Sequence, residues 1–309
     1  MATILLTGGT GLVGRALSSA LLEKKHNVII LTRSTKQMAI SPQPKNGIQW
    51  AQWNVEAQTI DKDAVAKADY IIHLAGAGVA DKRWTKKRKQ EIVDSRVKSG
   101  ALLVTALSEI ENNVKAVITA SAIGWYGADP VIPNPIPFLE DAPADTAFLG
   151  DTCRQWEQSI EPVTQLKKRV VKLRIGIVLS KDGGALKEFI KPLQFGVAAI
   201  LGNGKQMISW IHIDDLVNMF MAAIENENMN GVYNAVAPKP VSNKELTLEL
   251  ARSRKKFFIP FYVPSLILKL MLGEMSIEIL KSATVSSIKI QQAGFNFKFP
   301  DIKTALKNN

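Results

Sequence analysis

A single cysteine stands in 309 residues. Cys153 has no partner for a disulfide within the chain, and a thiolate zinc site is excluded with it. Histidine is scarce too, with three in all. His26 reads as exposed. His73 and His212 sit inside apolar strands, read as structural, and show no metal-ligand spacing; no metal is expected. Long apolar runs are also missing. None approaches the ~20 residues needed to cross a bilayer. The longest candidate, around Phe257 to Leu272, is interrupted by Pro260, Pro264 and Lys269 and reads as a buried helix behind a proline-rich approach. Internal repeats and low-complexity segments are absent. The first strand starts at residue four, so no targeting peptide is expected ahead of it and the expected address is cytoplasmic.

What the chain does have is positive charge, a formal +11. Such a balance raises nucleic acid or a membrane surface as partners. The charges fall in separate places, however: Arg83, Lys86, Lys87, Arg88 and Lys89 at one helix start, and Arg252, Arg254, Lys255 and Lys256 elsewhere. Neither cluster interleaves aromatic stacking platforms, so a solvated basic surface is expected and no dedicated nucleic-acid site. With 46% hydrophobic residues the chain can bury a large core, as one compound domain or two lobes.

The richest stretch is Ile4-Leu5-Leu6-Thr7-Gly8-Gly9-Thr10-Gly11-Leu12-Val13-Gly14. Apolar residues build a short buried strand, glycines turn too tightly for side chains, and Leu12, Val13, Ala16, Leu17, Ala20 and Leu21 recur at helical spacing. Strand, glycine turn and helix form a dinucleotide cradle. Backbone can approach a pyrophosphate there, and the helix start aims free N–H groups at it. The glycines fit two registers, Gly9/Gly11/Gly14 and Gly8/Gly11/Gly14.

Strand and helix then alternate, as a parallel sheet requires. Val28–Leu31, Ile48–Gln52 and Tyr70–Leu74 read as strands, Thr85 to Leu107 as a long helix, and Lys115–Ala120 as a strand ending at Ser121. Pro130 to Pro143 reads as a surface loop near the active-site mouth. Asp151 is expected to cap a helix reaching Gln165, before strand Arg169–Ile175. Further on, Trp210–Ile213 and Val232–Ala235 read as strands and Asp214 to Glu225 as helix. From Pro238 onward the pattern is mostly helical. The expected organisation is a Rossmann-type α/β domain over residues 1–237, a doubly wound parallel sheet to which 176–210 add part of a substrate lobe, and a smaller C-terminal lobe over 238–309.

The end of the second strand selects the cofactor. An NAD site usually places a carboxylate there for the ribose 2′-hydroxyl; this chain has Leu31-Thr32-Arg33-Ser34, with Lys36 close by. Arg33 can fork onto a 2′-phosphate, assisted by Thr32 or Ser34, and NADP is expected. Leu74-Ala75-Gly76 is small enough for backbone to pass against the adenosine half. Asn54 reads either as a contact to adenine or as a turn residue.

Taken together, the chain resembles extended short-chain dehydrogenases/reductases, the sugar-nucleotide epimerase and dehydratase superfamily. The resemblance runs through the glycine turn, Leu74-Ala75-Gly76, Ser121-Ala122-Ile123-Gly124-Trp125-Tyr126-Gly127, Trp210-Ile211-His212-Ile213-Asp214-Asp215-Leu216 and Gly231-Val232-Tyr233-Asn234. More narrowly it is similar to an epimerase-like subfamily of unassigned substrate, through Asp81-Lys82-Arg83-Trp84-Thr85, Asp94-Ser95-Arg96, Cys153-Arg154-Gln155-Trp156-Glu157 and Gly294-Phe295-Asn296-Phe297 before Pro300. The resemblance implies a Rossmann core, NADP and a special C-terminal lobe. It also implies that Arg96, with Glu91 on the same helix, lies near the pyrophosphate and nicotinamide ribose; the other reading is a surface ion pair. Lys82-Arg83-Trp84 suits an anionic substrate, or else packs as a helix-start cluster.

The departure from the superfamily is chemical. Its enzymes carry Tyr-x-x-x-Lys on the helix after the Ser121 strand, the tyrosine transferring the proton and the lysine lowering its pKa. The aligned segment here reads Cys153-x-x-x-Glu157. Glu157 can accept from ribose hydroxyls but cannot acidify a neighbour. Ser121 is expected to orient the reacting oxygen, and Tyr126 or Cys153 to supply the proton; a capping serine, a pocket-lining tyrosine and a small buried thiol are the structural counterparts. Two functions follow. One is an NADP(H)-dependent oxidoreductase or epimerase-like enzyme for a small, anionic carbonyl, alcohol or sugar-derived substrate. The other is a catalytically silent NADP(H)-binding protein.

Overall fold

In the computed structural model, residues 1–34, 47–255 and 257–307 are described; Lys36 and Lys256 lie outside them. The apolar runs of the first half become strands β1 (Thr3–Thr7), β2 (Asn27–Thr32), β3 (Ile48–Asn54), β4 (Thr59–Ile60), β5 (Tyr70–His73), β6 (Ala116–Ala122) and β7 (Arg169–Ile175). With Gly231–Ala235, they form one eight-stranded sheet. Its order is Gly231–Ala235, β7, β6, β5, β1, β2, β3, β4. Every pairing is parallel except β3 with β4.

Both faces of the sheet are covered, which is why its strands are apolar without alternation. Ile4 and Leu6 join one core cluster, with Leu17, Leu21 and Phe220 from helices α1 (Leu12–Glu23) and Ile213–Glu225. Leu5, between them, points the other way and joins Leu102, Leu103 and Ala106. Those three lie on the 24-residue helix Lys86–Glu109, whose first turn is capped by Thr85 Oγ1 accepting from Arg88 N. The helix after β6 runs Phe148–Ile160, starting three residues before Asp151, and gives way to a 3-10 turn, Glu161–Leu166. Pro162 lacks the N–H that would continue α-helical bonding, so the expected end at Gln165 is corrected to Ile160.

A third core gathers Leu179, Trp210, Leu246, Phe299 and Ile302, from segments on both sides of residue 238. Around it lie the remaining short strands: β8 (Ile177–Ser180), β9 (Gly183–Gly184), β10 (Val197–Leu201), β11 (Met207–Ile208) and β12 (Trp210–His212). After the sheet strand β13 (Gly231–Ala235) come β14 (Val241–Ser242) and β15 (Ile259–Val263). The expectation for Phe257 to Leu272 is corrected. Pro260 and Pro264 keep 259–263 extended as β15, paired with β10, and the helix begins only at Ser265. Both elements are largely exposed. No helix among the described residues is long and apolar enough to cross a membrane.

The Pro130–Pro143 loop is pinned. Buried Asp129 accepts from Asn134 Nδ2 at 3.0 Å, Ser282 Oγ at 2.7 Å, Thr284 N at 2.9 Å and Thr284 Oγ1 at 2.8 Å. Phe138 bridges to Val285.

Candidate functional site

At the end of β1 the chain turns on Gly8, whose φ of +70° favours glycine. A Cβ there would stand 2.9 Å from the Leu74 carbonyl, and one on Gly14 would stand 2.3 Å from Gly8 O. Gly9 packs on the Ile30 side chain. Gly11 caps α1 without a side chain, leaving the first helical amides open. The turn is tied to the next strand by Thr7, whose Oγ1 accepts from Leu74 N at 3.0 Å and Ala75 N at 3.1 Å. Both acceptor sites being used, its proton goes to His73 Nδ1 at 2.8 Å, and Nε2 faces Ser99 Oγ at 3.2 Å. His73 is thus a buried, structural imidazole. Burial, with Arg96 nearby, pushes its pKa down to about 3.

A cleft of about 1030 Å³ opens onto this turn. Gly8, Thr10, Gly11 and Leu74-Ala75-Gly76 form one wall, Glu91 and Ser95 of the long helix another. Thr32, Arg33 and Asn54 line its far end. Arg33 is exposed, and Ser34 N donates to Thr32 Oγ1 at 3.1 Å. Asn54 serves as a turn residue, its Oδ1 accepting from Glu56 N and Ala57 N. A dinucleotide fits here by shape and donor set. The turn has no room for side chains, the helix start offers amides, and a guanidinium waits at the adenosine end.

Gly9, Leu12, Val13, Gly14, Arg96 and Glu157 do not line that cleft, and neither do Ser121, Tyr126 and Cys153, which are buried. Gly9 and Gly14 sit behind the turn, Val13 packs on the first core, and Leu12 meets β9. Arg96 is buried against the loop wall. Its Nη1 donates to Ala77 O at 3.0 Å and Ile92 O at 2.9 Å, and its guanidinium stacks 4.8 Å from the Trp156 ring centroid. Burial brings its pKa down to about 10, still charged at neutral pH. Glu91 pairs with Arg88 at 3.0 Å. Trp84 is buried, donating from Nε1 to Val79 O and meeting Phe148 edge-on. Packed with Ile92 and Met275, the ring is buried.

The end of β6 carries a different kind of site. Parallel register sets Ser121 beside Arg174 of β7. Ser121 Oγ donates to Glu157 Oε1 at 2.7 Å, and Arg174 grips the same carboxylate through Nε at 2.8 Å and Nη2 at 3.1 Å. Arg174 Nη1 donates to Tyr126 Oη at 3.1 Å and to Glu140 O at 3.0 Å. Its guanidinium lies 3.6 Å from the Trp125 ring centroid. Tyr126 Oη in turn donates to Asn234 Oδ1 at 2.6 Å. All five polar side chains are buried.

The two expected proton donors therefore occupy structural positions. Tyr126 is fully buried with its proton committed to Asn234; burial pushes the phenol up to about 12, although Arg174 pulls the other way. Cys153 lies against Gly124, and burial followed by the Glu157 charge pushes its thiol up to about 12. His212 caps Ile213–Glu225 by accepting from Asp214 N at 3.1 Å. Sequence reasoning missed Arg174. The signal was there: a cation inside Val170-Val171-Lys172-Leu173-Arg174-Ile175 must find a partner when that strand is buried.

Comparison with known proteins bears on the family and the fold. The family model for the NAD dependent epimerase/dehydratase family matches residues 4–235, and a domain of unknown function, DUF1731, matches 263–308. The chain is 37% identical over 307 residues to epimerase family protein SSP1921 of Staphylococcus saprophyticus, covering 98% of each chain. It is 36% identical to epimerase family protein SAOUHSC_00792 of Staphylococcus aureus, covering 100% of this chain and 99% of the relative. Among solved structures it is similar to human epimerase family protein SDR39U1 (isoform 2) with NADPH, at a TM-score of 0.84 and 26% identity, covering 99% and 98% of the two chains. UDP-glucuronic acid 4-epimerase from Bacillus cereus, in complex with UDP-glucuronic acid and NAD, shares the fold at a TM-score of 0.78 and 20% identity, covering 99% of this chain and 96% of the other.

Proposed function

The chain belongs to the NAD dependent epimerase/dehydratase family, and on that premise we propose that it is an NADP(H)-dependent oxidoreductase or epimerase-like enzyme. Its substrate in this reading is a small carbonyl, alcohol or sugar derivative, anionic in character. The observation that carries the cofactor half is the side-chain-free turn at Gly8 and Gly14, opening on a cleft that ends at Thr32 and Arg33. The likeness to a human relative described with NADPH supports the same choice.

Gly8, Thr10, Gly11 and the start of α1 would hold the diphosphate, Arg33 and Thr32 the 2′-phosphate, and Leu74-Ala75-Gly76 the adenosine side. Glu91 would flank the ribose and diphosphate, with Arg96 behind it shaping the wall at residues 75–77. When bound, the nicotinamide supplies or accepts a hydride. Ser121 sits at the carboxyl end of its strand, where ligands meet doubly wound sheets. Its proton is committed to Glu157, so its lone pairs are what a substrate hydroxyl would meet. As that hydroxyl gives its proton to Ser121 Oγ, Ser121 passes its own to Glu157 Oε1; in reduction both protons return. Arg174 holds Glu157 as a forked carboxylate. In this reading Glu157 replaces Tyr126 and Cys153 as the proton-exchanging group, while Tyr126 steadies Arg174.

Calorimetry with NADPH and NADH tests the cofactor half. NADPH is expected to bind more tightly, and Arg33→Ala to weaken NADPH roughly tenfold while sparing NADH, as loss of a charged hydrogen bond implies. Oxidation of NADPH across a carbonyl panel tests the chemistry. Ser121→Ala is expected to lose ~100-fold in turnover, as removal of a positioned proton-transfer group does, with NADPH affinity within a few-fold. The missing Tyr-x-x-x-Lys pair favours a second reading, a silent NADP(H)-binding protein. Firm NADPH binding with no oxidation of any carbonyl and no epimerisation of any sugar derivative would establish that one instead.

A further inference from the structure

Exposed apolar side chains are not scattered over this molecule. Among the described residues, nine of the seventeen large hydrophobic side chains that face solvent lie between Phe257 and Ile277. Phe257 is 84% exposed, Leu266 67%, Leu270 70% and Met271 69%. The helix Ser265–Leu272 buries only Leu268, so it is apolar on the sides it shows to solvent, with Lys269 as its one charge. Phe195, 85% exposed, extends the patch from the turn before β10, where Ile259 N donates to Gly196 O. A soluble monomer rarely shows so large a patch without a partner for it.

Charge says which partner. From Leu250 to Gly273 the sequence holds Arg252, Arg254, Lys255, Lys256 and Lys269 and no Asp or Glu. Arg252 pairs with Glu249. Arg254, Lys255 and Lys269 are exposed and pair with no described carboxylate. A second copy fits poorly. The carboxylates that follow, Glu274 and Glu278, are already paired with Lys89 and Lys281, so twofold pairing would oppose two cationic clusters. Strand addition along β15 would meet Pro260, which has no N–H to offer on the edge away from β10, because Ile259 already directs its own N–H toward that strand. Aromatic and aliphatic side chains bordered by free cations match an anionic lipid surface, where the apolar groups enter the headgroup boundary and the cations meet phosphates.

We propose that the face formed by β15 and the Ser265–Leu272 helix docks the protein peripherally on anionic membranes. The inference is independent of the catalytic reading. The full chain is tested by flotation with vesicles of phosphatidylcholine alone and with phosphatidylglycerol added at roughly one lipid in three, a strongly anionic surface. Expected are capture by the anionic vesicles only, release as salt rises, and at least ~10-fold weaker capture for the double variant Leu266→Asp/Leu270→Asp and for Arg254→Glu/Lys255→Glu. These side chains are exposed, so unchanged melting temperature and NADPH affinity separate lost docking from lost folding. Failure of the full chain to float, equal flotation of the variants, or capture by phosphatidylcholine alone would overturn the proposal. A dimer by light scattering that Leu266→Asp/Leu270→Asp dissociates, without vesicle capture, would assign the face to a second copy.

Discussion

At the end of the cleft lined by Gly8 and Gly11 the polar groups are mainly backbone amides, freed by glycines within one β-turn-α unit. At the end of β6 they are buried side chains drawn from separate parts of the chain: Ser121, Tyr126, Glu157, Arg174 and Asn234. The first arrangement gains specificity from what is missing, since Gly8 and Gly14 leave space in which nothing but main chain fits. The second gains it from mutual satisfaction, each charge or hydroxyl fixed by another. Superfamily enzymes tune a tyrosine with a lysine. Here a carboxylate and a guanidinium neutralise each other, and the tyrosine is drawn behind them.

That contrast can be broken most severely at the ion pair. Glu157→Leu strands Arg174 in a dry interior and is expected to cost ~3–5 kcal/mol in urea unfolding, whereas the double variant Glu157→Leu/Arg174→Met should recover most of it. A single-variant loss below ~1 kcal/mol would mean that the pair behaves as a solvated one. The glycine end is sharpened by Gly14→Ala. Its new Cβ meets Gly8 O at 2.3 Å, so the turn must shift, and NADPH affinity is expected to fall ~100-fold, the scale of an ångström-sized misplacement. Gly11→Ala, whose nearest contact is 3.3 Å, should fall less. Calorimetry on both variants distinguishes the two.

The contrast is also probed by a pH dependence confined to the side-chain end. Cys153 is raised from 9.0 to about 12 and Tyr126 from 10.0 to about 12. Between those values the unfolded chain gives up protons that the folded chain retains, so stability falls as pH rises through 9 to 12. Urea melts at pH 8 to 11 should show the decline, and Cys153→Ala should flatten its early part. A flat wild-type profile would show both groups to be wetter than their burial suggests.

The glycine turn was legible because all its determinants sit within eleven consecutive residues and each acts through local backbone geometry. The parallel sheet was legible for a similar reason: strands buried on both faces must be continuously apolar, as Ile4-Leu5-Leu6 and Val28-Ile29-Ile30-Leu31 are. The ion pair was not, because Glu157 and Arg174 come together only when β7 lies beside β6, and Tyr126 finds Asn234 across 108 positions. Phe257 to Leu272 was misjudged in the opposite sense. Apolar character suggested burial, yet the adjoining core is filled by Leu186, Trp210, Leu246 and Phe299.

The clasp at Asp129 has a consequence in time. Its donors Ser282 and Thr284 belong to the tail, and Ser286 O accepts from Asn234 Nδ2, the residue that fixes Tyr126 and through it Arg174. The contacts of the glycine turn, by contrast, close within the first hundred residues. On a ribosome adding residues vectorially, the glycine turn can close these hydrogen bonds while the rest is still being made. The ionic half receives its last anchors only when the final thirty or so residues have emerged, so the two ends of the molecule's contrast are completed at different times.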